Sequence, residues 1–227
     1  MGQFRNLQAA DGHEFAAFEA LPDGEARAGV VVIQEVFGVN PHIRSVADGY
    51  AAEGYAVIAP AIFDRVERGV ELSYDEAGMG AGIKLAFQDL KMENTLKDLQ
   101  AAIEHVSSRA PNGKVAVVGY CFGGLLTWLS ACELDGVTCA SSYYGGGVAG
   151  MREKQPRCLV MMHFGELDAH IPLSDVEAVR TAQPGVQVFV YEGADHGFNC
   201  DARGSFDADS AALARKRTLD FFSEHAA

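Results

Sequence analysis

Two kinds of apolar spacing alternate along the chain. The runs GVVVIQE (29–35), YAVIAP (55–60) and KVAVVG (114–119) are almost unbroken by polar residues, as in strands buried on both faces. Between them, apolar residues recur three and four apart. Ile43, Val46, Ala47 and Tyr50 follow Asn40-Pro41, a helix start with proline in its first turn, and Gly54 ends that helix. Leu96, Leu99, Ile103 and Val106 mark an amphipathic helix from about Lys91 to Arg109, closed by Pro111-Asn112-Gly113. A helix from about Phe122 to Cys132 follows the third run. TCASSYYG (138–145), RCLVMMHFG (157–165) and VQVFVY (186–191) predict three more strands, with helices near 173–182 and over 207–224. Residues 61–85 hold charges, four glycines and only weak periodicity, which predicts a long, partly helical excursion of the kind that lines a site. The alternation predicts an α/β class protein, a mainly parallel sheet with helices on both faces, in one domain over 1–227.

Composition narrows the function classes. A net charge of −13 would repel the phosphates of nucleic acid, so no nucleic-acid partner is expected. No stretch reaches the length of a membrane span, and MGQFRNLQAADGHEF lacks the apolar core of a signal peptide. The five cysteines, Cys121, Cys132, Cys139, Cys158 and Cys200, are odd in number and without metal-ligand spacing. Free thiols in a reducing cytoplasm are therefore expected.

One cysteine stands apart. In VVGYCFGG (117–124), Gly119-Tyr120-Cys121-Phe122-Gly123 has the nucleophile-elbow pattern with Cys in place of Ser. The glycines let strand and helix pack closely around a strained central residue. The helix N-terminus beyond it favours negative charge on the sulfur and offers free N–H groups to an oxyanion. Asp168 follows the MMHF strand and can hold an imidazole in one tautomer. His196, in GADHGF after the VQVFVY strand, can reach back to the thiol. Each has a plain structural reading: a buried cysteine at a tight turn, an aspartate capping a turn, a solvated loop histidine. Together they stand in the chain order nucleophile, acid, base of the α/β-hydrolase triad. His170 is a competing base. His163 reads as a satisfied core residue, and His13, His42, His105 and His225 as residues without suitable neighbours.

The chain resembles the dienelactone hydrolase (carboxymethylenebutenolidase) family over nearly its whole length. The resemblance rests on QEVFGVN (34–40), AAEGYAVIAP (51–60), GKVAVVGYCFGG (113–124), YYGGG (143–147), GELDAHIP (165–172) and YEGADHGF (191–198). It implies an α/β-hydrolase fold and hydrolysis of dienelactone to maleylacetate in aromatic catabolism. It implies no metal or cofactor, a monomer, and a small-molecule lactone or ester as the only partner. By the likeness, Cys121 is the nucleophile, His196 the base and Asp168 its orienting carboxylate, with Val36 and Phe122 N–H groups as the oxyanion hole. Glu35 would contact the resting thiol and release it when substrate binds, so that the thiol stays protected from oxidation until needed.

Substrate recognition departs from the family pattern. Arg203 matches one of two carboxylate-binding arginines, but DEAGMGAGIKLAF (75–87) lacks the second. Arg65, Arg68 and Lys84 are possible substitutes, none in register. Ile83 and Ala86 stand near the places of expected aromatics, and Tyr143 and Tyr144 are candidate pocket residues. The alternative readings are a related thiol esterase with another small ester, a scaffold protein with a vestigial triad, and a zinc enzyme using Cys200, His196 and Asp168.

Overall fold

A computed structural model describes residues 2–227. The three unbroken apolar runs form β3 (Gly29–Ile33), β4 (Ala56–Pro60) and β5 (Val115–Tyr120), and every residue in them is buried. They occupy the middle of an eight-stranded sheet with order β1-β2-β4-β3-β5-β6-β7-β8. The remaining strands are β1 (Gln3–Gln8), β2 (Glu14–Ala20), β6 (Val137–Tyr143), β7 (Leu159–Gly165) and β8 (Gln187–Tyr191). β3 through β8 are parallel, and β1 and β2 add an antiparallel edge.

From β3 the chain moves one way to β4, then crosses back past β3 to β5. Crossovers share one hand, so helices on connections running in opposite directions cover opposite faces. α1 (Pro41–Ala52) joins β3 to β4, and α3 (Met92–Ser107) joins β4 to β5. Between these two helices in the chain lie a short 3₁₀ turn (Ile62–Arg65) and α2 (Glu76–Lys84), which runs into a π-helical turn at Leu85–Asp89. α3 packs beside α4 (Phe122–Glu133). α5 (Leu173–Ala182) joins β7 to β8. α1 meets the final helix α6 (Ala208–His225) through Tyr50 and Phe222, whose rings lie 6.1 Å apart. The reversal of direction opens a crevice between the C-terminal ends of β3 and β5, where open α/β sheets bind ligands. Glu35 leaves the first of those ends and Cys121 the second.

The start of α1 shows local sequence at work. Pro41 occupies the first turn, where its missing N–H costs nothing, and the Asn40 side chain accepts the Ile43 N–H at 3.1 Å. His163 is a core residue as expected: its ring nitrogens lie 2.7 Å from the Tyr191 hydroxyl and 3.1 Å from that of Thr218. Burial pushes its basicity down to about 3, so it stays neutral. No helix among the described residues is long and apolar enough to cross a membrane.

The edge strands β1 and β2 are absent from the sequence reading. In β1 only Leu7 is buried, so there is no alternation to detect. The hairpin signal was Asp11-Gly12, with Gly12 at φ +87° and the Ala9 N–H bonded to the His13 carbonyl at 2.8 Å. The expected excursion is found, and its helical part ends later, at Asp89.

Candidate active site

Cys121 sits between β5 and α4 at φ 56°, ψ −114°. L residues rarely adopt this conformation, which costs about 1–3 kcal/mol. Its N–H donates to the Tyr143 carbonyl at 3.0 Å, and its carbonyl accepts from Gly124 at 2.9 Å. The flanking glycines are a steric necessity. A Cβ on Gly119 would lie 2.1 Å from the Gly123 carbonyl oxygen, and one on Gly123 would lie 2.4 Å from that of Ile33. The corner can be this tight only because strand, helix and β3 meet backbone to backbone. The thiol itself is half-buried.

Phe122 opens α4, so its N–H has no acceptor within the helix. Val36 follows the end of β3, and both residues are buried. Both residues thus sit at the ends of the two strands, β3 and β5, that border the crevice.

Asp168 is immobilised through both oxygens. Oδ1 accepts the His170 and Ile171 N–H groups at 2.8 and 3.1 Å, and Oδ2 lies 2.7 Å from His196 Nδ1. The Cys121 thiol is the ring's other neighbour. Burial opposes charge on His196, but the bond to Asp168 and the nearby Cys121 sulfur outweigh it and raise its basicity to about 10. The imidazolium is thus the favoured form beside this sulfur. His170, the competing base, is exposed and packs its ring edge-on against that of His196 at 5.3 Å.

Glu35 is fully buried, yet its bonds are long. Oε2 accepts from the Tyr74 hydroxyl at 3.3 Å, and Oε1 lies 3.5 Å from Arg203 Nη1. The hydrogen bonds of the Glu35 carboxylate go to Tyr74 and Arg203, and the expected contact with the resting thiol is not among them. A guanidinium attracts a carboxylate far more strongly than a neutral thiol does. Tyr74 also accepts from Asn40 Nδ2 at 3.0 Å and lies beside Cys200. Burial and the charge of Glu35 keep Tyr74 protonated.

Arg203 stacks its guanidinium over the Phe37 ring at 5.8 Å. The three candidate replacements for a second arginine are engaged elsewhere. Arg65 pairs with Asp98 and Asp11, Arg68 donates to the Glu14 carbonyl, and Lys84 pairs with Asp89. Ala86 is buried, whereas Ile83 is 43% exposed. The aromatic side chain of this region is Phe87, 57% exposed, with its ring edge-on to Phe122 at 5.3 Å. The π-helical turn at Leu85–Asp89 adds a residue to the local repeat, so side chains fall out of the register that an α-helix predicts. Tyr143 is strand packing, its hydroxyl 2.8 Å from that of Thr218. Tyr144, at φ +36°, packs edge-on against His196 at 5.1 Å, and its buried hydroxyl has no partner.

The other four thiols are poorly solvated. Burial pushes Cys132 and Cys200 up to about 11, and Cys139 and Cys158 up to about 12. The suggested zinc set of Cys200, His196 and Asp168 does not converge; Cys200 lies instead with Glu35 and His42. His42, expected to lack neighbours, is buried beside Asp201, Glu35 and Cys200. Its position in an ordinary amphipathic helix gave no sign of this.

A mostly parallel sheet that carries its candidate nucleophile on a strained strand-to-helix corner is the α/β-hydrolase fold, and the molecule is a hydrolase of ester or lactone bonds. The model of the dienelactone hydrolase family matches residues 15–226. The chain belongs to that family. A Synechocystis sp. protein assigned as a carboxymethylenebutenolidase is 40% identical over 210 residues, covering 85% of this chain and 84% of its own. The carboxymethylenebutenolidase of Pseudomonas putida is 34% identical over 225 residues, covering 96% and 94%. The crystal structure of a Klebsiella pneumoniae protein assigned as a dienelactone hydrolase superimposes with a TM-score of 0.88 at 26% identity, covering 99% and 98%.

Proposed function

We propose that the protein is a thiol hydrolase that opens an enol-lactone bearing a carboxylate, of the dienelactone type, in the breakdown of aromatic compounds. The observation that carries this reading is the alignment of Cys121, His196 and Asp168, in which a 2.7 Å bond orients an imidazolium-favouring ring toward the sulfur. The Cys121 thiolate adds to the lactone carbonyl, and the oxyanion is held by the Val36 and Phe122 N–H groups. Each such donor contributes about 3 kcal/mol to the transition state. Collapse breaks the ring C–O bond; the departing enolate oxygen takes the His196 proton and leaves a thioester. Neutral His196 then accepts a proton from water as the water oxygen attacks. The thiolate departs, and the imidazolium is restored. Arg203 binds the substrate carboxylate, which displaces Glu35 from its 3.5 Å contact.

A second reading, a thiol esterase for a less anionic substrate, is favoured by one observation. Arg65, Arg68 and Lys84 are held in other pairs, and Phe87 supplies an apolar surface beside Phe122. Steady-state kinetics with cis- and trans-dienelactone beside a panel of neutral aryl esters separate the two. The first reading expects the lactones to have the higher kcat/KM. Turnover of neutral esters without turnover of either lactone removes the substrate assignment and leaves the mechanism. Hydrolysis undiminished in Cys121→Ala removes the mechanism.

A further inference from the structure

The fold gives His42 a setting that its sequence context does not suggest. It lies in the first turn of α1, and its side chain is only 5% exposed. Nδ1 faces an Asp201 carboxylate oxygen at 3.0 Å. A carboxylate can only accept, so Nδ1 carries the proton and the lone pair is left on Nε2. That Nε2 is buried and has no hydrogen-bond partner. Leaving such an atom unpaired costs about 1–3 kcal/mol, which calls for an occupant.

Glu35 and Cys200 complete the setting. Both are fully buried, and one donor atom from each of Glu35, His42 and Cys200 lies within 4.8 Å of the other two. The three come from separate segments: the end of β3, the start of α1 and the loop beyond His196. Carboxylate, imidazole and thiol together suit a borderline-soft dication such as zinc or cobalt, and do not suit the all-oxygen preference of calcium or magnesium. A carboxylate behind the far ring nitrogen, as Asp201 stands here, is the arrangement that fixes the tautomer and orientation of a metal-bound histidine. Tyr74 donates its hydroxyl proton to Glu35 and lies beside Cys200, closing one side. Arg203, 3.5 Å from Glu35, is the cation that a metal would have to displace. Binding releases the Cys200 proton to solvent, and the resulting thiolate together with the Glu35 carboxylate offsets the dication.

We propose that Glu35, His42 and Cys200 form a binding site for one zinc-type transition-metal dication, oriented by Asp201 and distinct from the Cys121–His196–Asp168 set. Because it uses Glu35, occupancy releases Arg203 from its internal partner. The test is titration of the metal-free, full-length protein with cobalt(II), followed by zinc. One equivalent of cobalt is expected to produce thiolate-to-cobalt charge-transfer absorption, and zinc to displace it. The band is expected to persist in Cys121→Ala and to vanish in Cys200→Ser. Asp201→Asn, at an exposed position and so tolerated by the fold, is expected to weaken cobalt binding about tenfold or more. Absence of stoichiometric binding overturns the proposal. So does a band lost in Cys121→Ala and kept in Cys200→Ser, or cobalt affinity unchanged in Asp201→Asn. None of these readouts depends on which ester the protein hydrolyses.

Discussion

Replacing the candidate nucleophile by glycine is expected to leave the protein more stable than replacing it by alanine. Cys121 is held at φ 56°, ψ −114° by the Gly119–Gly123 corner and by its bond to the Tyr143 carbonyl. Alanine keeps the Cβ and therefore the conformational cost of about 1–3 kcal/mol; glycine removes it. Glycine also gives the unfolded chain more freedom, which takes back roughly 0.5–1 kcal/mol. The net advantage of Cys121→Gly over Cys121→Ala is then about 1 kcal/mol, or about 2–4 °C in Tm for a chain of this size. Comparing the two variants cancels the loss of the sulfur, because both lack it. Urea denaturation midpoints and calorimetry at one pH read the difference directly. If Cys121→Gly unfolds at or below the temperature of Cys121→Ala, the corner stores no strain and the account of the elbow is wrong.

The remaining predictions concern the residues around the sulfur. Asp168→Asn leaves a hydrogen bond to His196 possible but no longer stabilises an imidazolium; kcat is expected to fall about a thousandfold or more with KM little changed, as steady-state kinetics would read. Arg203→Ala is expected to lower kcat/KM for a carboxylate-bearing lactone about 10–100-fold and to spare neutral esters, since a hydrogen bond to a charged group contributes roughly 1.5–3 kcal/mol; equal losses on both substrate types would refute the assignment. His196 has an ordinary value of 6.5 and is raised to about 10 when folded. The stability it supplies is therefore full below pH 6.5 and is lost as pH rises toward 10. Urea midpoints at pH 6, 8 and 10 should converge for wild type and His196→Gln at the alkaline end, and parallel curves would contradict this.

Much of this was readable in advance, because the physics involved is local. Unbroken apolar runs mark buried strands, and all three central strands were found from them. The elbow was visible in Gly119 and Gly123, since a corner so tight excludes any Cβ. Asp168 and His196 were legible because parallel strands deliver their following loops to one edge. The unread parts depend on long-range approach. Nothing near Tyr74 announces that it will touch Glu35, Asn40 and Cys200. Nothing near His42 announces Asp201, 159 positions away. Phe87 was obscured by a different cause: the π-helical turn at Leu85–Asp89 breaks the 3.6-residue spacing from which its direction would be inferred. β1 escaped notice because an exposed edge strand needs no apolar alternation.

Cys132, Cys139 and Cys200 are buried and Cys158 is half-exposed, and loss of solvation pushes all four up, leaving them as protonated, poorly nucleophilic thiols at neutral pH. Cys121, half-exposed at the N-terminus of α4 beside His196, is then the thiol expected to react first with an alkylating reagent. A single equivalent of iodoacetamide would count competent molecules in a preparation, turning an incidental pattern of packing into an internal standard for every rate constant measured on this enzyme.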